Sequence, residues 1–189
     1  MPAYFLPLVI IRGCWIIFIA VWIVAAISRK RTIYRESAAQ RLSYSLLLFV
    51  GCYLVFASRR LGSPFSLSAN AIVAWVAAAL CCTGLVFSIW ARLTLGRNWS
   101  GTVTLKEGHE LIERGPYRIV RHPIYTGLLA MIIATALASG HIIGFAGVLL
   151  AFFSFWIKLG YEEKVLLNQF PDQYAAYQKR VKRIIPLIL

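Results

Sequence analysis

The chain has 189 residues, enough for one domain or two very small ones. Hydrophobic residues make up 60% and charged residues only 14%, where soluble domains carry about 25% charged. Such a composition excludes a disordered chain, a soluble basic nucleic-acid binder and a disulfide-stapled secreted domain. Lipid is the expected solvent, and the net charge of +13 marks a side of the membrane rather than a nucleic-acid partner.

In chain order, five apolar runs approach the ~20 residues that a helix needs to cross a bilayer. They cover residues 8–27, 42–57, 69–91, 124–139 and 142–157. The first is not a cleaved signal peptide by pattern, because Arg29, Lys30 and Arg31 follow the apolar stretch rather than precede it. Only Gly140 and His141 separate the last two runs, so these form a tight antiparallel hairpin, slightly sunken or packed inside the bundle. Of the 20 Lys and Arg residues, 17 fall between runs one and two, between three and four, or after five. The positive-inside rule then places the N-terminus outside and the C-terminus in the cytoplasm. The expected fold is an all-α integral membrane protein with about five transmembrane helices and a cytoplasmic C-terminal catalytic subdomain. Residues 1–91 form a three-span scaffold. Residues 92–189 hold nearly all the polar chemistry around the two-span hairpin and a C-terminal amphipathic helix.

Cys14, Cys52, Cys81 and Cys82 all lie within apolar runs, no CxxC occurs, and the three histidines are distant from them. A thiolate metal site needs ligands clustered at short spacing, so no metal is expected. No Gly-rich phosphate loop follows a strand, so no Rossmann or P-loop nucleotide site is expected either.

The segment between runs three and four is rich in turns. Gly96, Asn98 and Gly101 end the third helix, and residues 102–105 form a short β-type run. Gly115-Pro116 sets a turn just before Tyr117. Pro123 suits the first position of a helix, which puts Arg121 and His122 at the mouth of span four. Unpaired backbone N–H groups there favour anionic ligand groups. Singly, each residue has an ordinary explanation. Arg121 can meet lipid phosphates, His122 can cap the helix, and Tyr117 and Tyr125 can sit in an interfacial belt. Their crowding into eleven residues points to a site.

After the fifth run, Lys158 and Glu162 are spaced i, i+4 and share one face if the helix continues. Phe170-Pro171 interrupts that helix. Tyr174, Tyr177 and Val181 then give a second amphipathic piece one apolar face. This piece either lies on the membrane or folds back over the site.

The pattern Arg121-His122-Pro123-x-Tyr125, preceded by Gly115-x-Tyr117 and His109-x-Leu111-Ile112, resembles the isoprenylcysteine carboxyl methyltransferase family. Glu162-Glu163 followed by Leu166, Phe170, Tyr174 and Tyr177 continues the match, which covers about residues 95–186. The related phospholipid N-methyltransferases share the His-Pro turn and the paired glutamates. The resemblance implies an integral membrane enzyme that uses S-adenosylmethionine (SAM) without a Rossmann domain. Carried over by position, the cofactor contacts are His109, Glu110, Leu111, Ile112, Tyr117, His122, Pro123, Ile124, Tyr125 and Glu162. The family's substrate-carboxylate arginine is replaced here by Lys158, which pairs as a point charge and not as a planar fork.

Chemistry adds to this. Carboxylates suit the ammonium and hydroxyls of SAM, and tyrosine faces suit its sulfonium or adenine. Methyl transfer is an in-line displacement in which positioning supplies much of the rate. A carboxylate acceptor needs no base and is oriented by Lys158 or Arg121, the expected catalytic pair. An amine acceptor needs deprotonation, for which Glu163 is the candidate. The leading expectation is carboxyl O-methylation of an isoprenylcysteine-like acceptor that enters from the bilayer. The alternatives are phospholipid ethanolamine N-methylation and a sterol reductase-like membrane enzyme.

Overall fold

The computed structural model describes residues 5–27, 32–61, 70–96, 99, 102–106 and 111–188. Its long helices are α1 (Phe5–Ile27), α2 (Ala38–Leu61), α3 (Ala71–Leu95), α4 (Pro123–Ser139) and α5 (Ile142–Gln169), followed by the short α6 (Pro171–Arg180). Helices α1, α2, α3 and α5 are long and apolar enough to cross a membrane. At 17 residues, α4 is about 25 Å long, close to the lower bound for a span. The chain is an integral membrane protein with the all-helical architecture expected of it. Among the described residues, β1 (Thr32–Arg35) pairs antiparallel with β2 (Thr104–Lys106) in a short ribbon. The β-type run after α3 was legible in sequence, but its partner strand was not.

Helix α4 is the spine. It packs against α3, α5, α2 and α1, and one core cluster joins Cys14 and Cys81 to Met131 and Ala134. A second joins Val55, Ala151 and Phe155 to Leu129 and Ile132. Helix α4 is therefore packed inside the bundle, while its hairpin partner α5 keeps an outward apolar face at Leu149 and Phe153. The hairpin turn works because Gly140 takes a left-handed conformation, φ 71°, that ends α4. Large apolar side chains such as Ile16, Phe49, Val86 and Leu93 remain exposed on the outer helices, where lipid would cover them.

Within a membrane, lipid is as apolar as leucine, so helices associate by close packing of small residues. Two glycine pairs do this here. A Cβ on Gly84 of α3 would lie 2.5 Å from the carbonyl oxygen of Gly127 in α4. A Cβ on Gly51 of α2 would lie 2.7 Å from that of Gly147 in α5. The two pairs lock α3 to α4 and α2 to α5.

Helix α3 runs one turn past its expected end because Arg92 is accommodated. Its buried guanidinium donates to the carbonyls of Gly96 (2.6 Å) and Ala25 (2.7 Å) and lies over the Trp99 ring. It thereby caps the ends of both α3 and α1. The expected boundary at residues 91/92 thus falls inside a helix. Helix α5 also outruns its apolar part, extending twelve residues beyond position 157, so Lys158 and Glu162 do share one helical face.

Gly127→Ala should lower the detergent melting temperature, because overpacking a tight contact costs about 1–3 kcal/mol. Gly13→Ala, with nothing within 4 Å of the new methyl, should leave it unchanged. Equal melting of the two variants would contradict the role of the glycine pairs.

Candidate active site

Pro123 opens α4 at its first position, and His122 precedes it without using its side chain as a cap. The imidazole turns instead toward the two adjacent glutamates of α5. Its Nε2 lies 3.1 Å from Glu163 Oε1 and its Nδ1 3.7 Å from Glu162 Oε2. The same few residues thus start a helix and aim a ring at two carboxylates.

Glu163 is buried and lies at the centre of a polar knot. Arg121 reaches it through Nε (2.9 Å) and Nη2 (2.8 Å). Arg183 donates to Oε2 at 2.5 Å and Gln178 at 3.2 Å. Arg121 also donates through Nη1 to the carbonyl of Val181 at 2.5 Å. The C-terminal tail runs beside this segment, with Arg121 N–H donating to Lys182 O (2.8 Å) and His122 N–H to Arg183 O (3.0 Å). Of the two placements open to the amphipathic piece, α6 takes the one that folds back over the site. Tyr177 fastens it by donating to the Tyr117 carbonyl at 2.5 Å. Burial pushes the phenols of Tyr117, Tyr174 and Tyr177 above the ordinary tyrosine value, and Tyr117 and Tyr177 donate to backbone carbonyls.

These elements line an open cavity. Its aromatic wall is Trp99, Tyr117, Tyr125, Tyr174 and Tyr177, and its apolar wall is Leu95, Val103, Leu111, Ile112, Ile124, Val165 and Leu166. Thr102, Arg121, His122 and Glu162 supply the polar groups. Glu162 accepts from the Tyr125 hydroxyl at 2.7 Å and lies 3.9 Å from the Lys158 ammonium.

Of the ten expected cofactor contacts, Leu111, Ile112, Tyr117, His122, Ile124, Tyr125 and Glu162 line this one cavity. Pro123 is buried at the helix start and does not line it. His109 and Glu110 lie outside the described residues. The two expected catalytic cations part company. The Arg121 guanidinium is engaged by Glu163 and two carbonyls, whereas Lys158 sits one turn below Glu162, beside the cavity lining. Glu163, the candidate base for an amine acceptor, is fully engaged by its four partner side chains.

Sequence reading missed Trp99, Thr102, Val103, Arg183 and Gln178. Trp99 carried a weak signal as the aromatic next to the helix-breaking glycines, but the others came from tail and loop contacts with no local pattern. Among the described residues, no group of three His, Cys, Asp or Glu side chains is placed to hold a metal.

Residues 72–173 match the family described as phospholipid methyltransferase. The chain belongs to that family. It is 33% identical over 103 residues to protein-S-isoprenylcysteine O-methyltransferase B of Arabidopsis thaliana, covering 52% of this chain and 51% of that protein. It is 34% identical over 112 residues to the protein-S-isoprenylcysteine O-methyltransferase of Schizosaccharomyces pombe, covering 57% and 47%. The chain thus spans about half the length of these relatives. The solved structure of a eukaryotic intramembrane isoprenylcysteine carboxyl methyltransferase superposes with a TM-score of 0.59 at 24% identity, over 82% of this chain and 55% of that one. At that identity the likeness is one of fold. The phospholipid methyltransferase match spans α3 to the start of α6 and so takes in Arg121, His122, Lys158 and both glutamates.

Glu163→Gln should destabilise the protein by about 3 kcal/mol, because it strands two guanidiniums against a neutral amide in a buried knot. Arg180→Ala removes a surface pair with Glu113 (2.7 Å) and should cost under about 1 kcal/mol. Thermal unfolding in detergent compares the two, and equal losses would contradict the knot.

Proposed function

We propose that this family member is a SAM-dependent methyltransferase for a lipophilic acceptor, with carboxyl O-methylation of an isoprenylcysteine-like compound as its reaction. The carrying observation is one cavity at the basic end of a membrane bundle, with Glu162 in its wall and the Lys158 ammonium 3.9 Å from that carboxylate. In this reading residues 92–189 hold the cofactor over the spans of residues 1–91, and the cavity end faces the cytoplasm. The names of the relatives support the activity.

The cavity's own chemistry fits SAM. Glu162 offers a carboxylate for its ammonium or hydroxyls, and Tyr117 and Tyr125 offer π-faces for a sulfonium or an adenine. His109 and Glu110 join this set on the strength of the resemblance alone. When bound, SAM supplies an electrophilic methyl group. The chain's residues do the rest by positioning. His122, steered by both glutamates, holds the mouth of α4 in place. Arg121 fixes α6 and the tail over the cavity and so closes it, rather than meeting the acceptor. Lys158 orients the acceptor's carboxylate, which is already an anion and needs no base. A lipophilic tail stays in the bilayer while the polar head reaches Lys158.

Phospholipid amine N-methylation is the second reading, favoured by the name of the matching family. An ammonium head would meet the Lys158 cation at like charge, and Glu163 could take up its proton only by giving up donors.

Glu162→Gln should weaken S-adenosylhomocysteine binding about 10- to 150-fold, since a charge-assisted hydrogen bond contributes about 1.5–3 kcal/mol. Lys158→Ala should leave that affinity within about twofold but depress methyl transfer to a prenylcysteine analogue at least tenfold. Lys158→Arg should retain transfer. Unimpaired transfer by Lys158→Ala, or methylation of an ethanolamine phospholipid alone, would overturn the carboxylate reading. A reporter fused after Leu189 should behave as cytoplasmic, and one inserted at Ser63 as external.

A further inference from the structure

Lys158 has two aromatic walls. Its ammonium lies 5.4 Å from the Tyr125 ring centroid and 5.3 Å from that of Tyr44. Tyr125 belongs to the segment that matches the family, but Tyr44 belongs to α2, outside residues 72–173. Tyr44 is only 4% exposed and is held from two sides. The Ser154 hydroxyl of α5 donates to its carbonyl at 2.7 Å, and its own hydroxyl donates to Glu36 Oε1 at 2.5 Å.

Glu36 is 7% exposed and is tied to the loop before β2. Its N–H donates to Val103 O at 3.1 Å, and Oε1 also accepts from Val103 N at 3.3 Å. Val103 is part of the cofactor cavity wall. A continuous line of contact therefore runs from that wall through Glu36 and Tyr44 to Lys158. Glu36 Oε2 has no hydrogen-bond partner among the described residues. A buried carboxylate left half-satisfied is expensive, so stability alone gives a poor reason for placing one here.

We infer that Tyr44 and Glu36 are part of the acceptor site. Tyr44 is a specificity-determining residue whose π-face holds the Lys158 ammonium at the position where an anionic head group is met. Glu36 is a positioning residue that acts through Tyr44 and Val103. A phenol that donates to a carboxylate gains electron density, which strengthens its attraction for a cation. Two flanking rings also narrow the approach to Lys158, which suits a flat carboxylate better than a tetrahedral phosphodiester. The helix α2 and its leading residue thus read the acceptor, beyond a scaffold role. This inference rests on the carboxylate reading above for its substrate, but not for the Tyr44–Lys158 contact.

Two readouts separate these dependencies. The first is acylation of lysines by limiting acetic anhydride in detergent, followed by mass spectrometry, which needs no turnover. Tyr44→Leu should raise labelling of Lys158 about 3- to 30-fold, the range set by a cation–π contact, and leave Lys164 unchanged. Tyr44→Phe keeps the ring and should raise it less, as should Glu36→Gln. The second readout is steady-state methyl transfer to a prenylcysteine analogue. The KM for the acceptor should rise in the same order as the labelling, with kcat within about threefold and, in the two Tyr44 variants, S-adenosylhomocysteine affinity unchanged. A merely structural role would instead lower melting temperature, cofactor affinity and kcat together in all three variants. Unchanged Lys158 labelling in Tyr44→Leu would overturn the contact. Raised labelling with an unchanged acceptor KM would overturn the acceptor role. A wild-type protein inactive on every carboxylate probe would instead overturn the function reading, and the labelling would still judge the contact by itself.

Discussion

Four side chains from three separate segments converge on the carboxylate of Glu163: Arg121 and His122 before α4, Gln178 in α6 and Arg183 in the tail. Removing one anion would leave several donors unmatched at once. The cost of ionising groups in a poorly hydrated place is offset only while all partners are present. The knot therefore makes the position of α6, the tail and the mouth of α4 a single cooperative feature. The cavity exists because that feature holds. Glu162, the next residue, is turned the other way, and its carboxylate faces the cavity with Tyr125 and Lys158 around it. Adjacent glutamates on one helix thus divide the work, one closing the lid and one facing the ligand space.

The lipid-facing half of the molecule is organised by a different constraint. Between apolar helices in lipid there is no water to exclude, so contact depends on how closely backbones can approach. The Gly84–Gly127 and Gly51–Gly147 contacts set that approach and hold α3 against α4 and α2 against α5. Their geometry fixes where α2 stands relative to α5, and through it where Tyr44 stands relative to Lys158. A packing rule of the membrane interior is in this way transmitted to the polar end of the bundle.

Features set by local chemistry were legible in the sequence. Pro123 starts α4, Gly115-Pro116 makes the turn before Tyr117, and Gly140-His141 closes the hairpin. Seven cavity-lining residues were readable because they sit at short spacing in motifs that resemble a family. What stayed hidden depends on distant partners. The β1–β2 ribbon joins residues about 70 positions apart, and the Arg92 bond to Ala25 joins residues 67 apart. The sequence pattern gave α6 an apolar face but could not say whether lipid or the cavity would cover it. Arg121 illustrates the limit most clearly. Its place beside His122 suggested an acceptor contact, but three hydrogen-bonding neighbours, all reached only through the fold, engage its guanidinium.

The most direct measurement is calorimetric titration of the detergent-purified wild-type protein with S-adenosylhomocysteine, alongside a parallel titration with NADPH. Saturable binding of S-adenosylhomocysteine at one site per chain, with no heat from NADPH, is the predicted result. Absence of S-adenosylhomocysteine binding by folded protein, or saturable binding of NADPH in its place, would contradict the assignment of the cavity to a methyl-donor cofactor.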